Sequence, residues 1–150
     1  MISPLRILLD EFARKHGHAR FPATVDEAAS VTVTDDVEVF VAIEREALVL
    51  YARVGDAPEG NAEFAEELLA SNLFWRDTEG ATLALERYTR AILLARRHPA
   101  TEFSDADALD AEIDRFAALV ARWRTVIQRL REEHAAAVEP ATLFTPSQLA

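Results

Sequence analysis

The sequence predicts an α+β domain: an antiparallel twisted sheet with helices packed on it, in the order α-β-β-β-α-β-β-α. Three patterns carry that prediction. Leu5, Leu8, Leu9 and Phe12 recur at i, i+3, i+4 and i+7, the spacing of one apolar helix face. From Val31 to Val54 apolar residues alternate with others at the period of two that strands require. Leu109, Ile113, Phe116, Val120, Trp123, Ile127 and Leu130 then step by fours and threes, one stripe along a helix of roughly 30 residues.

Each element has its own start and stop signals. Ser3 is a suitable N-cap and Pro4 fits a first helical turn, which needs no N–H donor there. Gly17 stops this helix after Lys15 and His16, cations at the negative end of its dipole. Val31 and Val33 open a meander. Asp35-Asp36 forms its first turn, Val37 to Glu44 its second strand, Arg45-Glu46 a tight turn and Leu48 to Val54 its third strand. Gly55, Pro58 and Gly60 break the pattern, and Asn61 caps a second helix with apolar positions Phe64, Ala65, Leu68, Leu69, Leu73 and Phe74. Leu83 and Leu85 mark a fourth strand, and Ile92 and Leu94 a fifth that ends at His98-Pro99. Ser104, with Asp107 three residues on, predicts a capping box for the last helix. Residues 1–134 form the domain, and 135–150, with Pro140, Pro146 and no period, a flexible tail.

Composition narrows the chemistry. Of 150 residues, 26 are acidic and 16 basic, a net charge of −10, which disfavours nucleic-acid binding. Without cysteine there is no disulfide framework, thiolate metal site or cysteine nucleophile. No apolar run approaches the ~20 residues of a membrane span, and Met1 to Leu9 is too short for a signal peptide. These features predict a soluble, cytoplasmic protein. Arg87, Arg90, Arg96 and Arg97 lie in a stretch without acids; they either form an anion site or, the default for charged faces, pair with acids on neighbouring strands.

No catalytic or cofactor motif is present. There is no Gly-rich phosphate loop, HExxH or GxSxG. His16 and His18 flank a glycine that would splay two imidazoles, and no carboxylate partner is fixed beside them. The acids from Asp105 to Asp114 lack the glycine and terminal glutamate of a calcium loop, and suit a helix N-terminus instead. The sequence therefore predicts no metal, no cofactor and no enzyme. What remains is apolar: three apolar helix faces against one small sheet, a surplus that either is core or marks a partner surface.

Leu68-Leu69-Ala70-Ser71-Asn72-Leu73-Phe74, followed by Gly80-Ala81-Thr82-Leu83-Ala84-Leu85 and a returning strand from Ile92 to Pro99, resembles the class I type III secretion chaperones, the Tir-chaperone (CesT/SycE-like) family. The likeness extends back to Leu8-Leu9-x-x-Phe12 and Gly17 and forward to Phe116 and Trp123. Ser71 departs from the alanine usual in that motif. The resemblance implies a non-catalytic homodimer in the bacterial cytoplasm. Each dimer would bind the N-terminal chaperone-binding segment of one or a few secreted effectors, keep it non-globular, and have the secretion ATPase as a further partner. By the same analogy Leu68, Leu69, Leu73, Phe74 and Leu83 form the dimer interface, and Leu5, Leu8, Phe12, Val31 and Val33 the effector groove. The alternative is a structurally similar regulatory or scaffolding domain that binds a folded partner.

Overall fold

The computed structural model describes residues 3–22, 28–34 and 36–142. Asp35, half of the first predicted hairpin turn, and residues 143–150 of the tail lie outside the described residues.

Helix α1 spans Pro4–Lys15, where Ser3 Oγ accepts the Arg6 N–H at 3.2 Å. Leu5, Leu8, Leu9, Phe12 and Ala13 are its buried residues. Gly17, with φ +85°, ends it, and the His18 N–H reaches back to the Ala13 carbonyl at 2.9 Å. That left-handed turn is one glycine makes without Cβ strain.

The meander forms as predicted: β1 (Ala29–Thr34), β2 (Val37–Glu44) and β3 (Ala47–Asp56), all antiparallel. Arg45 and Glu46, with φ of 48° and 61°, make the two-residue turn between β2 and β3 with both residues left-handed. This geometry matches the right-handed strand twist even without glycine. Helix α2 (Ala62–Ser71) is capped by Asn61 Oδ1, which accepts the Phe64 N–H at 3.0 Å. A single 3-10 turn at Leu73–Trp75 leads to β4 (Thr82–Leu85) and β5 (Ala91–Pro99).

The sheet order is β1-β2-β3-β5-β4, so the chain leaves β3, crosses through α2, lays down an edge strand and returns between the two. Val39, Val41, Leu48, Leu50, Ala52, Ile92 and Leu94 make its buried inner face. Helix α3 (Ala106–Thr142) crosses that face with Leu109, Ile113, Phe116, Val120, Trp123 and Ile127 buried and Leu130 packed at the margin. At Gly55 the approach is so close that a Cβ would lie 2.6 Å from Ile127 Cγ2.

Four details differ from the expectations. Helix α2 ends at Ser71, so Leu73 and Phe74, expected on its apolar face, lie in the 3-10 turn that follows. The α3 cap is Asp105 and not Ser104: Asp105 Oδ1 accepts the Ala108 N–H at 2.8 Å, the register that turns Ala106 and Leu109 inward. The helix also runs on to Thr142, past the boundary expected near His134. Arg96 pairs with Glu112 of α3 at 2.6 Å, not with an acid on a strand. Burial works to raise the Glu112 pKa, but Arg115 and Arg96 outweigh it and hold the carboxyl below its ordinary value.

Candidate functional site

Two surfaces stand out, one at each edge of the sheet. The first is a groove of about 490 Å³ between α1 and β1. Phe12, Phe21 and Val31 contribute its apolar lining, and His16, His18 and Arg20 its polar side. Its shape depends on the segment that follows α1. The Arg6 guanidinium donates to the Phe21 carbonyl at 2.7 Å and the Pro22 carbonyl at 3.1 Å, while Asp10 accepts the Phe21 N–H at 3.0 Å. Two side chains one helical turn apart thus pin that segment to α1.

The α1 end is also tied to α3 by charge. Lys15 reaches Asp107 at 2.5 Å and also pairs with Asp110, and His16 Nε2 lies 2.8 Å from Asp110 Oδ1. Burial pushes the Asp110 carboxyl upward, but the bonds from Lys15 and His16 prevail and its pKa is lowered. The same pairing with Asp107 and Asp110 raises the Lys15 pKa. The acids that suited the N-terminus of α3 therefore also receive the cationic end of α1.

The second surface is a ridge. Leu69 is 73% exposed, Leu73 65%, Phe74 68% and Trp75 54%, with Leu85 (44%) and Tyr88 (90%) nearby in the chain at β4 and the turn after it. Phe74 and Trp75 both have positive φ, 55° and 54°, a conformation bulky residues adopt at a cost of ~1–3 kcal/mol each. The Gly80 N–H donates to the Trp75 carbonyl at 3.0 Å, and Trp75 Nε1 donates to Thr82 Oγ1 at 3.3 Å, holding the turn. A cleft of about 210 Å³ runs beside it, lined by Phe64, Leu68, Leu69, Leu83 and Leu85 among others.

The residues singled out in the sequence divide between these places. Phe12 and Val31 line the groove, whereas Leu5 and Leu8 lie in the core and Val33 packs half-buried against it. Leu69, Leu73 and Phe74 form the ridge, whereas Leu68 and Leu83 are buried within the protomer beside it. Sequence reasoning missed Phe21, His18 and Arg20 in the groove, where no periodicity marks them, and Trp75, Leu85 and Tyr88 near the ridge. A bulky triplet directly after a helix, Leu73-Phe74-Trp75, was the available signal for Trp75.

Among the described residues no group of three or more His, Cys, Asp or Glu could hold a metal, and no helix is long and apolar enough to cross a membrane. A model of the Tir chaperone protein (CesT) family matches residues 7–124, which takes in most of α1, the whole sheet, the ridge and most of the α3 stripe. The chain belongs to that family. The Tir chaperone of Citrobacter freundii is 28% identical over 115 residues, 76% of this chain and 73% of the relative. Among solved structures, a chain in the HopA1-SchA chaperone-effector complex superposes with a TM-score of 0.58 at 16% identity, covering 84% of this chain and 94% of its own. A chain in the ExsC-ExsE complex gives the same TM-score at 22% identity, over 84% and 92%. The α+β fold expected from the sequence is thus the fold of these structures. Membership makes this Tir chaperone relative a secretion chaperone of the type III kind, a protein that acts by binding and not by catalysis.

Proposed function

We propose that this family member is a homodimer in the bacterial cytoplasm. It binds the N-terminal segment of one or a few secreted effectors and keeps that segment extended until the secretion ATPase receives it. The observation that carries the reading is the groove beside β1. It joins an apolar lining to a strand that, among the described residues, pairs on one side only, with β2. An extended segment can place alternate side chains in such a groove and add main-chain hydrogen bonds along the strand, and neither interaction needs a catalytic group. The ridge suits the second copy, since Leu69, Leu73, Phe74 and Trp75 present apolar area that the protomer does not cover. The charge of −10 favours solubility for a protein with such a surface.

Co-expression with a candidate secreted effector, sought first among the products of neighbouring genes, tests the reading. A stable complex is expected that is lost when the N-terminal segment of that protein is deleted, with the bound segment open to protease outside its contacts. A complex unaffected by the deletion, or a partner held as a compact protease-resistant domain, sinks it.

A further inference from the structure

The two outer strands of the sheet differ in their main-chain groups. In the antiparallel pairing of β4 with β5, alternate residues turn their N–H and C=O toward β5 or away from it. Leu83 turns both outward, and both are occupied. Its N–H donates to Asn72 Oδ1 at 2.8 Å, and its carbonyl accepts from Asn72 Nδ2 at 3.0 Å. A carboxamide carries one acceptor and one N–H donor group in a plane, as a peptide unit does, so Asn72 fills the slot a neighbouring strand would use. The outward N–H of Ala81, two residues before, donates to the Thr78 carbonyl at 3.0 Å.

Asn72 is itself held in place. Its N–H donates to the Leu69 carbonyl at 3.2 Å and its carbonyl accepts the Trp75 N–H at 3.0 Å, at the junction of α2 and the ridge turn. At the opposite edge, among the described residues, no side chain or loop bonds the outer main-chain groups of β1. Exposed edges are templates for pairing with another chain, and proteins commonly blunt the ones they do not use.

We propose that Asn72 closes the middle of the β4 edge at Leu83, so that a second copy meets this stretch through side chains, and that β1 is the edge left open to strand addition. That a client is what adds there rests on the function proposed above. The closure itself is read without any client, so the two can fail separately.

The test uses the full chain. In the unsubstituted protein the Leu83 amide exchanges slowly with solvent although it faces outward from an edge strand, while the outward amides of β1 exchange fast. Asn72→Ala speeds exchange at Leu83 roughly tenfold or more. It also produces species larger than those of the unsubstituted protein, growing with concentration in sedimentation velocity. Adding Leu85→Lys, a charge on the edge strand, removes the larger species and leaves Leu83 fast. Asn72→Ser, polar but too short to span both Leu83 groups, gives the same results and stands in if the alanine variant does not fold. Leu83 exchange unchanged by either substitution overturns the proposal. So does faster exchange without larger species, which would confine Asn72 to holding the turn, and so do β1 amides as slow as Leu83.

Discussion

The groove at β1 and the ridge at β4 occupy opposite edges of one sheet and are built in opposite ways. The groove is concave, has a polar side of two histidines and an arginine, and borders a strand edge without main-chain partners among the described residues. The ridge projects, is apolar, and sits beside a strand whose outward groups at Leu83 are occupied by Asn72. One surface can offer main-chain hydrogen bonds as well as apolar contact; the other offers apolar side chains. The first arrangement tolerates many side-chain sequences in its partner, because the ladder is common to all chains. The second demands shape complementarity, which suits a partner that is always the same, such as a second copy.

The largest expected effect separates the two surfaces from the ridge side. Phe74 holds a left-handed conformation at a cost, and glycine adopts it freely, so Phe74→Gly removes the aromatic without straining the protomer. Self-association should weaken ~30-fold or more, as for a buried aromatic at an interface centre. The melting temperature measured at a concentration where the protein is already monomeric should not fall. A variant that loses stability while keeping its association constant would place Phe74 in the protomer's own packing.

The next effect comes from the groove side. Arg6→Ala frees the Phe21 and Pro22 carbonyls from α1 and should cost about 1.5–3 kcal/mol in urea denaturation, the range for bonds to a charged donor. Client affinity should fall with it, while self-association at the far edge stays within roughly twofold, as distant sites act independently. Arg6→Lys should recover little, since one ammonium does not reproduce the guanidinium fork. A loss of self-association equal to the loss of client affinity would mean the two surfaces are not independent.

Legibility in the sequence follows the same division. Elements whose burial repeats at a fixed period were readable: the α1 face, the alternation of β2 and β3, and the α3 stripe. Adjacent residues on one short helix were not. Leu68 and Leu69 are about 100° apart around the axis, and only the position of β4 decides that Leu68 turns in and Leu69 out. The insertion of β5 between β3 and β4 leaves no local trace, because antiparallel neighbours need not be consecutive. The groove depends on Arg6 and Asp10 holding a segment more than ten residues away, a contact that no periodicity encodes. The α3 cap slipped by one because Ser104 and Asp105 are both competent caps, and the burial of Leu109 chooses between them.

The smallest effect tests whether the groove end is tied by charge where the ridge end is tied by backbone. Asp110 has a lowered pKa in the folded protein, so its contribution is present above the ordinary carboxylate value of ~4 and is lost as pH falls through the folded value. Lys15 has a raised pKa, so its contribution is full below its ordinary value of ~10.4 and is lost as pH rises through the folded one. Around neutral pH both groups are charged and the clamp between α1 and α3 is complete. Asp110→Asn should therefore reduce the acid limb of the melting-temperature profile below pH ~4, leaving the parts due to Glu112, Asp56 and Glu86, whose pKa values are also lowered. Lys15→Met should reduce the alkaline limb, leaving the part due to Tyr51, whose phenol pKa is raised by burial. Because Lys15 is well exposed, each shift should be on the order of a degree or two and shrink with added salt. Amide exchange gives the regional reading: the end of α1 should loosen in either variant while Leu83, held by an uncharged carboxamide, stays as slow as before. Equal loosening at both ends would show that charge at α1 supports the whole sheet and would remove the distinction between the two edges.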